Sequence, residues 1–537
     1  MASPDATQQR RPANGRNRGI GPGRGDATGP SPDPAAAAIS GRALGADGPQ
    51  GGTTAPPRFA TYPTLDRFLP LEGSEAAGWL AEVPAPGPIE LYLHVPFCAE
   101  LCAFCICRAE RARNAAALDA FLATLLAEID LVAGALPAGV ETARLHLGGG
   151  SPAILGAARL ARLAGRLASA LPGAPGCERV VETALADLDT AALEAIAAFG
   201  ATRAVLGLGE AAAGAGGTWL RRGRGRAGAR QTGPVGDVVS ESADAAIADA
   251  LAALAEAGVG DVTIELLVGL PGAPVAALAR AAAAAAAAGA GRIVLAPYLQ
   301  RPDIARRQRG IPAALMPLPG EAEEARGRAR RALRRAGYRR LGVDTWIRPG
   351  DTLGQAAAAG VVGWGFAGLV PRVAPAIVAL GPSAVSRLPG GYLQNGATIP
   401  AWSRAVDRGR LPAWRGHGLG PGDRLRRAAI EALIAAGTLD LEVLGAQAAR
   451  SREAAAFELE LATLAEALRH AARGLDPRAV DAWTDRALPA IVLSDAGMDE
   501  AHGLAAAIAA APHATPPVWP VPPDASPGSF WADAGSL

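Results

Sequence analysis

From Ile89 onward the chain alternates apolar and polar residues. Ile89-Glu-Leu-Tyr-Leu-His-Val95 has the two-residue period of a strand, Asn114 to Ala133 has the longer period of a helix, and Ala143-Arg-Leu-His-Leu147 is apolar and strand-like again. That second strand runs into Gly148-Gly-Gly-Ser-Pro152, a run suited to a tight turn. The alternation then repeats: helix 156–171 and strand 178–183, helix 189–199 and strand 202–208, helix 242–257 and strand 261–267, helix 274–289 and strand 292–297. A further helix, 320–336, precedes a segment from Tyr338 to Val343. Repeated strand and helix units predict an α/β fold around a parallel sheet, open or closed into a barrel, with its chemistry at the C-terminal ends of the strands.

The flanks read differently. Residues 1–55 hold Gly, Pro, Ala, Arg and Asp with no aromatic before Phe59, too little apolar surface to offset ordering entropy, so a disordered tail is expected. Ala211 to Gly236, rich in Gly and Arg, reads as an inserted loop. After about residue 400 the strand pattern fades and helical segments such as 422–437 and 451–474 take over. The expected organisation is a tail at 1–55, a catalytic unit at 56–399, a mostly helical C-terminal domain at 400–511 and a Pro-rich tail at 512–537.

Charge removes some classes of function. In 537 residues, 52 basic side chains, all arginine, face 51 acidic ones, and a net charge of +1 supplies no field to draw nucleic acid or a membrane surface. The N-terminus lacks the basic and apolar regions of a secretory signal, which points to the cytoplasm. Thr352 to Pro371 is free of charge but carries five glycines, a poor spanning helix, so no membrane span is expected. Four of the five cysteines, Cys98, Cys102, Cys105 and Cys107, fall within ten residues and Cys177 stands alone, which suits a reducing compartment better than a disulfide framework. Cys177 reads as a buried structural thiol.

Cys98-x3-Cys102-x2-Cys105 directly follows the first strand, so one loop presents three thiolates at the rim of the sheet. Three cysteines on a 4Fe-4S cube leave one iron open for a substrate or cofactor, whereas a structural zinc site closes with a fourth ligand, here Cys107 or His94. This spacing, with Phe104 just before the third cysteine, resembles the radical S-adenosylmethionine (SAM) superfamily. The resemblance implies a 4Fe-4S cluster on Cys98, Cys102 and Cys105, SAM on the open iron, and a partial (β/α)6-type barrel.

Several blocks together resemble one branch of that superfamily, the oxygen-independent coproporphyrinogen III oxidases. They are Pro57-Arg-Phe-Ala-Thr-Tyr-Pro-Thr64, Leu91-Tyr-Leu-His-Val-Pro-Phe-Cys98, Cys105-Ile-Cys107, His146-Leu-Gly-Gly-Gly-Ser-Pro152, Ile264-Glu-Leu-Leu-Val-Gly-Leu-Pro271, Gly337-Tyr-Arg-Arg-Leu-Gly-Val-Asp344 and Gly381-Pro-Ser-Ala-Val-Ser386. The Cys-x-Cys ending separates the pattern from that of the related heme chaperones. Position by position, the resemblance implies that Tyr92, Gly149, Glu182 and Val385 contact the cluster-bound SAM. It implies that Phe104, Gly150, Ser151, Arg221, Glu265 and Leu299 line a second SAM site, making two SAM per chain.

The chain departs from the family at several positions. Gly209 stands where the family has a glutamine, Glu265 replaces an aspartate, and Thr345 replaces a histidine. The family's Asn-Arg-x-Gln gives way to a run with Arg221, Arg222, Arg224, Arg226 and Arg230, which reads either as a clamp for substrate carboxylates or as a solvated insertion. His94 and His146 near strand ends read either as proton donors or as hydrogen-bonded rim residues. The implied activity is oxidative decarboxylation of coproporphyrinogen III propionates to vinyl groups, a step of porphyrin and heme biosynthesis. The partners would be a tetrapyrrole substrate, a reductant for the cluster and an electron acceptor. Two other readings fit the same pattern: a radical-SAM methyltransferase or cyclopropane-forming enzyme, and a heme chaperone without decarboxylase activity.

Overall fold

The computed structural model describes residues 62–63, 67–71, 73–209, 242–303, 305–318, 320–366, 368–449, 454–495, 497–511 and 513–514. The expected tail at 1–55, the arginine run at 221–230 and nearly all of 512–537 lie outside the described residues. Six parallel strands carry the fold: β1 (Gly87–Val95), β2 (Val140–Gly149), β3 (Gly173–Ala184), β4 (Arg203–Gly207), β5 (Asp261–Val268) and β6 (Arg292–Pro297). They neighbour one another in chain order. The crossovers are helices α1 (Ala115–Ala135), α2 (Ala157–Ala170), α3 (Thr190–Phe199), α4 (Ser242–Glu256) and α5 (Val275–Ala287), as parallel pairing requires.

Local chemistry fixes the helix ends. The side chain of Asn114 accepts from Ala117 N at 2.9 Å ahead of α1, and Asp189 accepts from Ala192 N at 2.8 Å ahead of α3. Gly200, in the left-handed region, closes α3. Leu160, Leu163 and Leu167 of α2 share a helical stripe and are buried against the sheet.

The pleat sorts the alternating strand residues onto two faces. Leu91, Leu93, Leu147, Leu206, Ile264 and Ile293 join the core shared with the helices. Glu90, Arg144, Arg203, Thr263 and Arg292 line the other face, around an interior cavity. There the charges cancel locally: Glu178 meets Arg144 at 2.7 Å and Arg203 at 2.8 Å, Asp261 meets Arg203 at 3.0 Å, and Asp351 meets Arg292 at 3.0 Å.

Among the described residues the array extends at both sides into a sheet of thirteen strands. The segment expected as one more unit, Tyr338 to Val343, instead forms the first strand of a hairpin. Arg339–Leu341 pairs antiparallel with Thr345–Ile347, which pairs antiparallel with β6. Three residues between those strands cannot make the crossover that a parallel partner needs. Beside β1, Ile377–Leu380 is parallel, followed by antiparallel Val385–Arg387, Gly391–Asn395 and Ala413–Gly418, with Leu69–Pro70 at the edge. Among the described residues the two edges do not pair, leaving a partial (β/α)6-type barrel rather than a closed one.

The expected fading of strands after residue 400 is corrected in two places. Ala413–Gly418 belongs to the large sheet, and Thr438–Asp440, Ala490–Leu493 and Val480–Thr484 form a small sheet of their own. Glycines at 416 and 418 hid the first in the sequence, and lengths of three to five residues hid the strands of the second. Helices Pro421–Ala436, Ala454–Ala472 and Ala501–Ala510 pack in a second core, where Leu433, Leu464 and Leu504 meet Ile347 and Trp364. The uncharged stretch 352–371 folds as a short helix, Thr352–Ala358, and a hairpin of Gly363–Gly365 with Gly368–Val370. Among the described residues no helix is long and apolar enough to cross a membrane.

Candidate active site

The C-terminal ends of β1, β2 and β3 bring one group of expected residues together. Tyr92 is buried, stacked on Phe366 with ring centroids 3.4 Å apart, and its hydroxyl lies 3.0 Å from His94 Nδ1. Burial pushes the Tyr92 hydroxyl well above its ordinary pKa and His94 below its own, which favours the uncharged form of both. His94 Nε2 then faces the carbonyl of Arg108, 3.5 Å away at the far end of the cysteine loop.

Glu182 is the second fixed point. Its Oε1 lies 2.7 Å from His146 Nε2, and its Oε2 accepts from Gly149 N at 2.9 Å. Burial alone would raise this carboxyl, but those two hydrogen bonds, the one with His146 first, hold it below its ordinary value. Its side chain keeps 27% exposure, enough to present a negative edge to a ligand. His146 is therefore a hydrogen-bonded rim residue that orients Glu182.

The glycine triplet is a steric necessity. A Cβ at Gly148 would lie 2.4 Å from the Glu182 carboxyl carbon, one at Gly149 2.5 Å from the His94 ring, and one at Gly150 2.2 Å from the Phe97 carbonyl oxygen. Gly150 N donates to Val95 O and Ser151 N to Phe97 O, both at 2.7 Å, so the turn is tied to the strand end that carries Cys98.

Cys98, Cys102, Cys105 and Cys107 are free thiols, all half-buried, on the irregular loop beyond β1. Among the described residues no three His, Cys, Asp or Glu side chains converge as around a single metal ion. Burial and the neighbouring Cys105 push the Cys98 thiol up to about 12. Hydrogen bonds from Cys107, through its thiol and through its N–H at 3.3 Å, bring Cys105 down to about 7, while Cys107 itself is raised. Three soft donors on one loop beside a side-chain-free glycine turn fit an iron–sulfur cluster in donor chemistry.

Phe104 and Leu299 are linked through one side chain. The fully buried side chain of Gln308 donates to Phe104 O at 2.7 Å and to Leu299 O at 2.9 Å. Phe104 packs near Leu270, Tyr298 and Ile311, and its ring would lie 3.2 Å from a Cβ at Gly209, whose φ is +39°. The glycine standing in place of the family's glutamine is thus the residue that the ring and the backbone accept. Glu265, on β5, and Thr345 line the interior cavity, below the rim.

Val385 lies across β1 from the glutamate, in a segment set by Glu128. That buried carboxylate accepts from Gly381 N at 2.7 Å, Asn395 Nδ2 at 2.7 Å and Trp402 Nε1 at 2.9 Å. Burial raises it to about 7 against those three donors. Arg221 lies outside the described residues. Glu128, Phe366, Arg307 and Gln308 escaped the sequence analysis, because each lies in an ordinary helical, glycine-rich or arginine-rich context and only long-range contact marks it.

No model of a protein family matches the chain. Among curated proteins, the oxygen-independent coproporphyrinogen III oxidase of Paracoccus denitrificans is 33% identical over 381 residues, covering 70% of this chain and 80% of the relative. The protein of the same name from Cereibacter sphaeroides (strain ATCC 17025) is 31% identical over 398 residues, covering 74% and 84%. Among solved structures, coproporphyrinogen III oxidase from Escherichia coli, described as a radical SAM enzyme, superimposes with a TM-score of 0.71 at 24% identity, over 84% of this chain and 96% of that one. That structural likeness speaks for the fold, and the two sequence relatives, matched over most of their length, place the chain in the oxygen-independent coproporphyrinogen III oxidase family.

Proposed function

We propose that the chain is a radical-SAM oxidoreductase that converts propionate side chains of coproporphyrinogen III to vinyl groups, giving protoporphyrinogen IX in porphyrin and heme biosynthesis. The observation that carries this reading is the joining of the cysteine loop to the glycine turn and Glu182 at one rim, in a chain belonging to that family. Cys98, Cys102 and Cys105 would hold a 4Fe-4S cluster. When bound, the cluster and SAM would supply the means of removing a hydrogen atom from the propionate, whose carboxylate would leave as CO2 with one electron passing to the acceptor.

The residues of the chain bind and orient. Glu182, kept ionised by His146 and Gly149, offers acceptors to the ammonium or ribose hydroxyls of SAM. Tyr92 and Val385 would bound the same molecule. Phe104, Gly150, Ser151 and Leu299, with Glu265 and Arg221, are proposed for a second SAM. The reductant and the electron acceptor are separate partners, and the reaction belongs in the cytoplasm.

The deciding experiment is anaerobic incubation of the reconstituted protein with SAM, a reductant and coproporphyrinogen III, followed by mass spectrometry of porphyrin and nucleoside products. Deoxyadenosine, methionine and a porphyrin lighter by two CO2 and four hydrogens support the reading. S-adenosylhomocysteine would point to methyl transfer, and stoichiometric heme binding without decarboxylation to a chaperone. SAM cleavage by a Cys102→Ala variant would overturn the cluster assignment.

A further inference from the structure

The cysteine loop has little regular structure of its own. Between Cys98 and Glu110 its backbone holds itself with short-range bonds such as Cys105 N to Cys102 O at 3.3 Å and Ala109 N to Cys107 O at 2.9 Å. Its two ends are tied by Ser151 N to Phe97 O and by His94 to Arg108 O, and its middle is held from about 200 residues away. The short helical turn Arg306–Gly310 places two successive side chains against it. Arg307 donates to Cys107 O at 2.7 Å and Ala109 O at 3.2 Å, and Gln308 donates to Phe104 O at 2.7 Å. The Gln308 amide also donates to Leu299 O at 2.9 Å and accepts from Arg301 N at 2.5 Å.

We infer that Gln308 is a positioning residue, which fixes the cysteine loop against the Leu299–Arg301 rim and so sets the gap between Phe104 and Leu299. This rests on the function proposed above only for the identity of the ligand. An amide is the side chain that suits the place, because it meets two carbonyls with N–H groups and one N–H with its oxygen. A glutamate there would turn an oxygen toward a carbonyl, and a leucine would leave three backbone groups without this partner. Phe104 lies between the second and third cysteines, so a shift of its carbonyl moves the loop at the point where the ligands are set.

The test uses the full chain as wild type, Gln308→Leu and Gln308→Glu. In the cluster-free protein, hydrogen exchange of peptides spanning 99–107 is expected to speed up in both variants while peptides of β2 keep their wild-type rates. In the reconstituted protein, iron and sulfide content is expected to hold, KM for SAM to rise about tenfold, as for loss of an outer partner of a ligand set, and deoxyadenosine released per vinyl group formed to increase. A merely structural role would lower the thermal midpoint and leave KM and that ratio at wild-type values, a result that overturns the inference. Should Gln308→Leu fail to fold, Gln308→Glu, of nearly the same size, carries the same comparison. A wild-type protein that cleaves no SAM would sink the proposed function, whereas unchanged exchange in residues 99–107 would sink the positioning role.

Discussion

One methyl group added at Gly150 tests the link between the glycine turn and the cysteine loop. In Gly150→Ala the new Cβ meets the Phe97 carbonyl oxygen at 2.2 Å, its carbon at 2.7 Å and Phe97 N at 2.9 Å. All three atoms are backbone, so no side chain can swing aside. Contact is relieved only beyond 3.0 Å, a retreat of about 0.8 Å by the strand end that leads into Cys98. Overpacking of this kind costs about 1–3 kcal/mol, and straining the two hydrogen bonds of the turn adds about 1 kcal/mol. The expected loss is about 2–4 kcal/mol, seen as a thermal midpoint lower by roughly 2–8 °C, together with reduced iron uptake on anaerobic reconstitution. Gly165→Ala is the internal control, because its Cβ meets nothing within 4 Å on helix α2 and should stabilise by about 0.5–1 kcal/mol. Wild-type midpoint and iron content in Gly150→Ala would refute the steric reasoning.

Other expectations follow from single contacts. Glu182→Gln keeps the size of the side chain but loses the charge facing SAM, and KM for SAM should rise by roughly 10–100-fold, the worth of a charged hydrogen bond, in steady-state assays of SAM cleavage. Arg426 and Glu460 form a fully buried pair at 2.7 Å, so Glu460→Ala should cost about 3–5 kcal/mol in denaturant unfolding, with replacement of both by leucine recovering most of it. Asp423 is raised by burial but brought down to about 2 by His417 Nε2 3.5 Å away and by hydrogen bonds from Tyr62 and Gly420 N–H. Its stabilising contribution is present above its unfolded pKa near 3.8 and is lost as pH falls through about 2, a slope that Asp423→Asn should flatten in acid titrations.

The pattern of apolar residues determined the repeating unit. Strands such as 292–297 and helices such as α1 stand where periodicity and caps place them, since both depend on neighbours a few residues apart. Cysteine spacing and the glycine triplet, also local signals, marked the rim where the chemistry lies. Sequence placed Glu182 at that rim but did not disclose its partners. Tertiary structure alone decided that Arg339–Leu341 and Thr345–Ile347 end the sheet as an antiparallel hairpin, because strand direction depends on the room left for a crossover. It alone decided that Gln308 grips Phe104 across 204 residues and that Glu128 gathers Gly381, Asn395 and Trp402. Hydrogen bonds of that reach form only after the barrel has brought distant segments together, and a glutamine among arginines carries no local mark of what it will touch.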